Sequence, residues 1–349
     1  MSVSLTAPEF LAAPEVLLDV RSPSEYAQGH IPGAISFPLF SDWERSQVGT
    51  CYKQIGREAA VELGFELVGP KIASFIRQAK GLAPDRRVKL HCWRGGMRSE
   101  SLAWALQMGG FEVMTLEGGY KSFRRWVRTT LSTPKSIIVL GGMTGTSKTD
   151  ILQALAEQGS QVLDLEGHAN HRGSSYGALG MPPQPSTEQF ENLVALDWAK
   201  FEASEPVWIE AESRRVGTCR VPDELFAQME AAPTLAVTRP LEERLDYLVE
   251  IYGSADTAGL VEATERIRKR LGGQRTQAAI AHIEAGRLHE ALKILLTYYD
   301  RAYTYDLERR HKQIPTVEIG GLSAIAAAQK LQVEAQRLFQ LSPTAFSLA

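Results

Sequence analysis

The chain has 349 residues, which predicts about two domains, and its hydrophobic share of 44% and charged share of 23% are ordinary for a globular protein. The net charge of −3 argues against a protein that is basic overall and binds nucleic acid through that charge, although Lys and Arg cluster locally. Three cysteines without a CxxC pair argue against a disulfide framework or a zinc site, and favour a reactive thiol in a reducing compartment.

Targeting and membrane signals are weak in this sequence. No apolar run approaches the roughly 20 residues that a membrane-spanning helix needs. The N-terminal segment lacks a basic start and carries Glu9 early, unlike a secretory signal peptide. We therefore expect a cytoplasmic protein that does not contact a membrane.

Strand and helix patterns alternate through the first part of the chain. Four short apolar runs are typical of buried strands: 16–20, 35–37, 87–91 and 111–116. Apolar residues between 99 and 108 have helical spacing. The alternation predicts an α/β domain with a mainly parallel sheet over residues 1–130.

The polar, proline-containing segment 129–136 is typical of a linker, and a second series of elements follows it. Strands are predicted at 136–141, 161–165, 207–210 and 235–238. Beyond residue 240 the apolar spacing is helical. We therefore expect a second α/β domain at 131–240, and a mostly helical region at 241–349 packed with it.

Cys92 ends a predicted strand and opens the loop Cys-Trp-Arg-Gly-Gly-Met-Arg-Ser, which leads into a helix. The N–H groups of such a loop converge on an anion, and the helix N-terminus adds partial positive charge, so the thiol pKa is lowered. Cys92 is therefore the predicted nucleophile, rather than a buried structural cysteine. The predicted binding residues for an anionic donor are Arg94, Gly95, Gly96 and Arg98. Cys51 and Cys219 are predicted to be structural. An alternative role for Cys51 is that of a resolving thiol.

A second glycine-rich loop lies between a predicted strand and a predicted helix at 150–158, which is the context of a phosphate-binding P-loop. The predicted diphosphate-binding residues are Gly142, Thr144, Gly145, Thr146, Ser147, Lys148 and Thr149. Ser147 stands where the pattern has glycine, which leaves ordinary nucleotide binding open. Thr149 would bind Mg²⁺ if that ion is present. Glu210 and Glu212 could orient a metal or water, or equally could be surface charges.

Motifs around Cys92 resemble those of a rhodanese domain over roughly residues 5–130. In chain order they are Asp19-Val20-Arg21, Glu25-Tyr26, Gly29-His30-Ile31-Pro32-Gly33-Ala34 and Glu117-Gly118-Gly119-Tyr120. The resemblance implies that Cys92 carries a persulfide and that Asp19 and Arg21 are structural. The loop from Cys92 to Arg98 is one residue longer than the usual rhodanese loop, and a wider loop can encircle a phosphate-like head group.

Further stretches extend a resemblance over nearly the whole chain, to the bacterial tRNA 2-selenouridine synthase family. They are residues 48–54, 164–167, 171–174, 212–214 and 269–275. The resemblance implies that selenium replaces sulfur in 2-thiouridine at the wobble position of certain tRNA anticodons, through an S-geranyl intermediate. Geranyl diphosphate and selenophosphate would be the substrates, with Cys92 taking selenium as a perselenide and Lys148 holding the diphosphate. No tightly bound cofactor and no certain metal ligand are implied.

The same resemblance suggests roles for other polar residues. Candidates for the diphosphate or tRNA are His171, Arg172, Ser174, Glu212 and Arg214. Candidates for tRNA phosphates are Arg266, Lys269, Arg270 and Arg275, with Arg309, Arg310 and Lys312 as a further cluster. Tyr298, Tyr299, Tyr303 and Tyr305 could stack on anticodon bases, although their spacing favours helix packing. The partners implied are a tRNA anticodon stem-loop, the two small substrates and, as a candidate, the synthetase that makes selenophosphate.

Three other functions compete with this interpretation. A sulfurtransferase fused to an ATPase or kinase would hydrolyse nucleotides, but Ser147 and the long Cys92 loop weigh against it. A tRNA- or nucleotide-binding protein with a vestigial rhodanese module would not need the intact Cys92 loop. A phosphatase with a Cys-x5-Arg loop would leave the P-loop unexplained.

Overall fold

The computed structural model describes residues 2–309 and 314–339. The chain divides into two compact units, which are described separately. The first comprises residues 1–130 together with 191–195, and the second comprises residues 131–190 together with 196–349. No helix in the described part of the chain is both long and apolar enough to cross a membrane.

The first unit is built on a five-stranded parallel sheet in the order β1-β5-β4-β2-β3. Its strands are β1 (Val3–Leu5), β2 (Val16–Asp19), β3 (Ile35–Ser36), β4 (Arg87–His91) and β5 (Glu112–Leu116). Its helices are α1 (Ala7–Ala12), α2 (Pro23–Gln28), α3 (Asp42–Gln54), α4 (Arg57–Val68), α5 (Ile72–Leu82), α6 (Met97–Met108) and α7 (Gly119–Ser132). Leu18, Leu90 and Leu102 are at most 1% exposed in the core between sheet and helices. The predicted α/β fold with a parallel sheet is confirmed.

The second unit contains another five-stranded parallel sheet, in the order β12-β11-β6-β8-β7. Its strands are β6 (Ile137–Gly142), β7 (Gln161–Leu163), β8 (Val207–Glu210), β11 (Thr234–Thr238) and β12 (Thr316–Glu318), beside a short hairpin of β9 (Arg215–Val216) and β10 (Cys219–Arg220). The helices up to residue 231 are α8 (Lys148–Glu157), α9 (Leu165–Ala169), α10 (Thr187–Lys200) and α11 (Asp223–Ala231). The later helices are α12 (Leu241–Tyr252), α13 (Thr257–Arg266), α14 (Arg268–Leu271), α15 (Gly273–Glu284), α16 (Leu288–Arg309) and α17 (Ala324–Phe339).

One detail of the predicted elements is wrong. The linker is shorter than predicted, because α7 continues to Ser132 and its residues Phe123, Val127 and Leu131 are buried at four-residue spacing. The region beyond 240 is mostly helical, as predicted, and it also supplies β12, which pairs with β11 at the edge of the sheet. Ala327 and Leu331 of α17 then share a core with Ile151 and Leu155 of α8, so this region completes the second unit.

Candidate functional site

The Cys92 loop lies at the C-terminal end of β4 and leads into α6. Gly95 has φ +66°, and a Cβ atom there would lie 2.8 Å from the carbonyl oxygen of Leu116. The turn of the Glu117–Tyr120 motif braces the loop, because the N–H of Tyr120 donates to the carbonyl of Cys92 at 2.8 Å. Glycine is needed at 119 as well, where a Cβ would lie 2.5 Å from that same carbonyl oxygen. The two glycine-containing motifs therefore fix the shape of one loop.

The Cys92 thiol is 3% exposed and its environment favours the thiolate. Burial by itself raises the pKa of Cys92, but the hydrogen bond from Ser99, the charge of Arg98 and the backbone N–H groups of Arg94 and Ser99 outweigh it and lower the pKa. The hydroxyl of Ser99 lies 3.2 Å from Sγ. Ser99 was not among the predicted binding residues, although a hydroxyl in the first turn of the helix that follows such a loop is a usable signal.

Arg98 is held in place by Glu25, whose Oε2 lies 2.7 Å from Nη1 of the guanidinium. Cys92, Arg94, Gly96 and Arg98 line one solvent-open cavity of about 1,440 Å³. Gly95 does not line it, and its contribution is to the turn. Arg45 and Lys53 of α3 line the same cavity and were missed by the sequence analysis. The cavity is therefore positively charged and suits an anionic donor.

Asp19 and Arg21 form a buried ion pair below the loop. Nη2 of Arg21 lies 2.6 Å from Oδ2 of Asp19 and donates to the carbonyl of Gly29 at 2.6 Å. The Arg21 guanidinium also lies 3.7 Å from the ring centroid of Tyr120. This pair joins β2 to the turn that carries Tyr120, as expected of structural residues. Cys219 is buried with its thiol pKa raised by that burial, whereas Cys51 is half-buried.

The P-loop joins the end of β6 to the start of α8. Ser147 has φ +55° and ψ +37°, so it adopts the left-handed conformation that usually requires glycine. A Cβ at Gly145 would lie 2.8 Å from the carbonyl oxygen of Arg244, so α12 approaches the loop closely. The ammonium of Lys148 donates to the carbonyl of Gly142 at 2.9 Å. Ser147 therefore adopts the backbone conformation expected of the glycine that the P-loop pattern has at this position.

Carboxylates face Lys148 across this loop. Burial lowers the Lys148 pKa, and the charges of Glu166, Glu212 and Glu210 only partly oppose that effect. The Glu212 pKa is raised to about 8 by burial, by the charge of Glu166 and by a hydrogen bond between these two side chains. Burial also raises the pKa of Glu210, which is buried rather than a surface charge. These groups carry less negative charge at neutral pH than their number suggests, which favours an anionic ligand.

The predicted diphosphate residues line one cavity of about 1,850 Å³ that opens to solvent. The cavity is also lined by Arg172, Ser174 and Glu212, and by four tyrosines, Tyr247, Tyr252, Tyr299 and Tyr303. His171 is not on its lining, and burial followed by the charge of Arg266 lowers its pKa. Arg214 lies elsewhere, 3.2 Å from Asp223 and 4.8 Å from the Phe226 ring centroid. Apart from His171 and Arg214, all the residues predicted to bind the diphosphate therefore line the same cavity.

Magnesium fits this cavity only in part. The Thr149 hydroxyl, its predicted ligand, donates to Oε2 of Glu166 at 3.0 Å. Oε2 of Glu210 is buried without a hydrogen-bond partner among the described residues. In that same part of the chain, no three acidic, histidine or cysteine side chains are arranged to hold a metal ion. The Mg²⁺ ion therefore stays a prediction.

Arg244 is a buried residue of the site that the sequence analysis missed. Its Nε donates to the carbonyl of Thr144 at 2.8 Å, and its guanidinium pairs with Asp300 at 2.5 Å and 3.1 Å. It thereby ties the P-loop to α12 and α16. The sequence holds no signal for this contact, because Arg244 lies in an amphipathic helix among charged residues that resemble solvated ones.

The predicted tRNA-binding residues lie on the surface formed by α13, α14 and α15, and Arg266, Lys269, Arg270 and Arg275 are all exposed. Burial, and after it the charge of Arg266, lowers the pKa of His171, so this surface begins close to residues 171–174, three of which line the P-loop cavity. Tyr298 and Tyr299 pack against the helical core, as their spacing favoured. Arg310, Lys312 and the side chains of Tyr305 and Arg309 lie outside the described residues.

These two sites define a protein that joins a rhodanese-like domain with an activated cysteine to a P-loop α/β domain. Residues 7–126 match the family model "Rhodanese-like domain", and residues 135–334 match "tRNA 2-selenouridine synthase AAA domain". The chain belongs to the tRNA 2-selenouridine synthase family, as the resemblance predicted.

Curated relatives carry the family name and match most of the chain. One from Marinobacter nauticus is 38% identical over 85% of this chain and 90% of its own length. One from Pseudomonas syringae pv. syringae and one from Psychromonas ingrahamii are each 37% identical over 85% of this chain and 89% of their own length. All three are named "tRNA 2-selenouridine synthase".

Proposed function

We propose that this protein is a transferase that converts 2-thiouridine at the wobble position of tRNA anticodons into 2-selenouridine through an S-geranyl intermediate. The observation that carries the proposal is the pairing of an activated thiol, Cys92, with a separate P-loop whose lysine faces partly neutralised carboxylates. Few reactions need both a nucleophilic thiol and a diphosphate cradle. The name of the curated relatives, "tRNA 2-selenouridine synthase", supports the formation of 2-selenouridine in tRNA.

Geranylation is assigned to the P-loop cavity. The sulfur of 2-thiouridine attacks the first carbon of geranyl diphosphate, the carbon–oxygen bond breaks, the ring proton is released and diphosphate leaves. Lys148, the loop N–H groups and Arg172 would stabilise the charge that builds on the leaving diphosphate. Such a leaving group needs no attacking water, so Ser147 need not support nucleotide hydrolysis.

Selenium insertion is assigned to the Cys92 loop. Selenophosphate would bind in the basic cavity near Arg94 and Arg98, where the Cys92 thiolate would attack its phosphorus and break the P–Se bond. The hydroselenide released there would attack C2 of the base, and water would later free the thiol and inorganic phosphate. The C2–S bond then breaks and geranylthiol leaves. A thiol is a better leaving group than the sulfide that an unalkylated base would have to release. The exposed arginines and lysine of α13–α15 would hold the anticodon stem-loop by its phosphates.

The test follows nucleoside mass in an anticodon stem-loop that contains 2-thiouridine, first with geranyl diphosphate and then with selenophosphate. Wild-type protein should give the S-geranyl and then the seleno nucleoside. Cys92→Ala should stop at the S-geranyl product, and Lys148→Ala should make neither from 2-thiouridine. An RNA mass that never changes while ATP is hydrolysed would instead establish the fused sulfurtransferase and NTPase.

A further inference from the structure

We propose that an apolar pocket beside Cys92 binds the geranyl chain of the S-geranyl base while selenium replaces its sulfur. The inference rests on the proposed function and assigns a second geranyl site, separate from the P-loop cavity. The pocket spans about 580 Å³, a volume that includes space open to solvent, and its lining belongs entirely to the first unit. We define it as the α4 pocket, because Ala60, Val61, Gly64, Phe65 and Val68 of α4 form one wall.

The lining of the α4 pocket suits a hydrocarbon. Opposite α4 it is formed by Leu39, Phe40 and Val48, with Met97 from the first turn of α6. Polar side chains on the lining come from Tyr52, Arg57, Arg98 and Ser101. A nucleobase or a phosphate needs several converging hydrogen-bond partners, whereas a branched ten-carbon chain needs apolar contact. The lining therefore favours the chain over the base that carries it.

The α4 pocket adjoins the cavity that contains Cys92. Phe40, Val48, Tyr52, Met97 and Arg98 line both spaces. A base placed with its C2 at Cys92 can therefore extend a sulfur-linked chain into the α4 pocket without leaving this unit. This shared wall is what selects the S-geranyl chain as the occupant, because that chain is carried by the sulfur that leaves C2 beside Cys92.

Gly64 keeps the pocket open at a cost to its helix. It lies inside α4, where glycine is less favourable than alanine. The packing does not demand glycine there, since an added Cβ would meet only Phe40 Cζ, at an ordinary 3.7 Å. Nearby, Tyr52 and Phe65 are 59% and 57% exposed, and Met97 is 40% exposed. Large apolar side chains left exposed around an unfilled space are expected where a ligand completes the packing.

Gly64→Leu tests the proposal by filling the pocket. Two anticodon stem-loops are prepared chemically, one with S-geranyl-2-thiouridine and one with S-methyl-2-thiouridine, and each is given selenophosphate. Gly64→Leu should lower the ratio of kcat/KM for the geranyl RNA to that for the methyl RNA at least tenfold, mainly through KM. Gly81→Leu is the matched control, because Gly81 lies in α5 with nothing within 4 Å of an added Cβ and should leave the ratio unchanged.

Each outcome decides the matter. An unchanged ratio in Gly64→Leu, or equal losses on both RNAs, overturns the α4 pocket as the chain site while the proposed function stands. Failure of the wild-type protein to convert the S-geranyl RNA overturns the proposed function and this inference with it. Gly64→Ala guards against a folding failure in the leucine variant, and it should lower the ratio by a smaller factor because it fills less of the pocket.

Discussion

The hydroxyl of Ser99 lies 3.2 Å from the sulfur of Cys92 and is the strongest of the interactions that favour the thiolate over the thiol. Both groups are buried, with Ser99 1% and Cys92 3% exposed. Burial alone would keep the thiol protonated, so the reactivity of Cys92 depends on donors that the loop and the first turn of α6 supply.

Ser99→Ala should therefore raise the pKa of Cys92. A hydrogen bond to a charged group contributes about 1.5 kcal/mol, so the midpoint of the pH–rate profile for alkylation of Cys92 by iodoacetamide should move up by about one pH unit. The rate should recover as the pH is raised, because the thiolate then forms without the donor. Ser74→Ala in α5 is the control, and an unshifted pH–rate profile in Ser99→Ala would assign the thiolate to other groups.

Ser147 predicts a stability pattern that depends on backbone angles alone. Its left-handed conformation costs about 1–2 kcal/mol for a residue with a side chain. Ser147→Gly removes that strain but adds about 0.5–1 kcal/mol of conformational entropy that the chain loses on folding, so it should stabilise by at most about 1.5 kcal/mol. Ser147→Val should instead destabilise by more than about 1 kcal/mol, as measured by urea unfolding. A valine variant as stable as wild type would show that residue 147 leaves this conformation.

The two loops could be predicted from sequence because each depends on a short, local run between a strand and a helix. Cys92 and Lys148 lie in the two loops as predicted, and the turn at 117–120 contacts the Cys92 loop that its motif accompanies. The α/β class follows for a similar reason, since a short apolar run such as the one in β2 (Val16–Asp19) forms a buried strand with little help from distant residues.

The rest of the site depends on contacts between distant residues. Arg244 reaches the carbonyl of Thr144 across 100 residues, and periodicity cannot reveal which charged residue of a helix turns inward. β12 has three residues, too few for a pattern, and becomes a strand because β11 offers an open edge. Helices α3 and α4 were not predicted, since Ile55 and Phe65 stay exposed and blur the apolar spacing.

Glu212 predicts a pH dependence of anion binding. Its pKa is raised to about 8, so the group is mostly neutral below that pH and charged above it. Binding of inorganic pyrophosphate should therefore weaken between pH 7 and pH 9, on the order of tenfold for one added charge in the cavity. Glu212→Gln should bind with little change over the same range in calorimetric titration. Equal pH dependence in the two proteins would assign the effect to another group.

Arg244 predicts a link between stability and diphosphate binding. Arg244→Met removes the ion pair with Asp300 and the hydrogen bond that Arg244 donates to the Thr144 carbonyl. Loss of one partner from a buried pair costs about 3 kcal/mol of stability. Because Asp300 is partly exposed, we expect the loss in Arg244→Met not to exceed that value. The free energy of unfolding in urea and the affinity for pyrophosphate should both decrease. Arg268→Met, at the exposed pair with Glu265, should leave both the midpoint of urea unfolding and the pyrophosphate affinity unchanged.

The basic surface of α13–α15 predicts the salt dependence of tRNA binding. Glutamine substitution of all four exposed residues, Arg266, Lys269, Arg270 and Arg275, should weaken stem-loop binding and flatten the plot of log affinity against log salt. Each phosphate contact contributes a slope of about −0.7 to −0.9, so the slope should fall by up to about three. Arg337→Gln, at the exposed pair with Glu334 in α17, is the control and should leave the slope unchanged. A quadruple variant with the wild-type slope would place the anticodon stem-loop on another surface, since neutral side chains release no counterions from RNA.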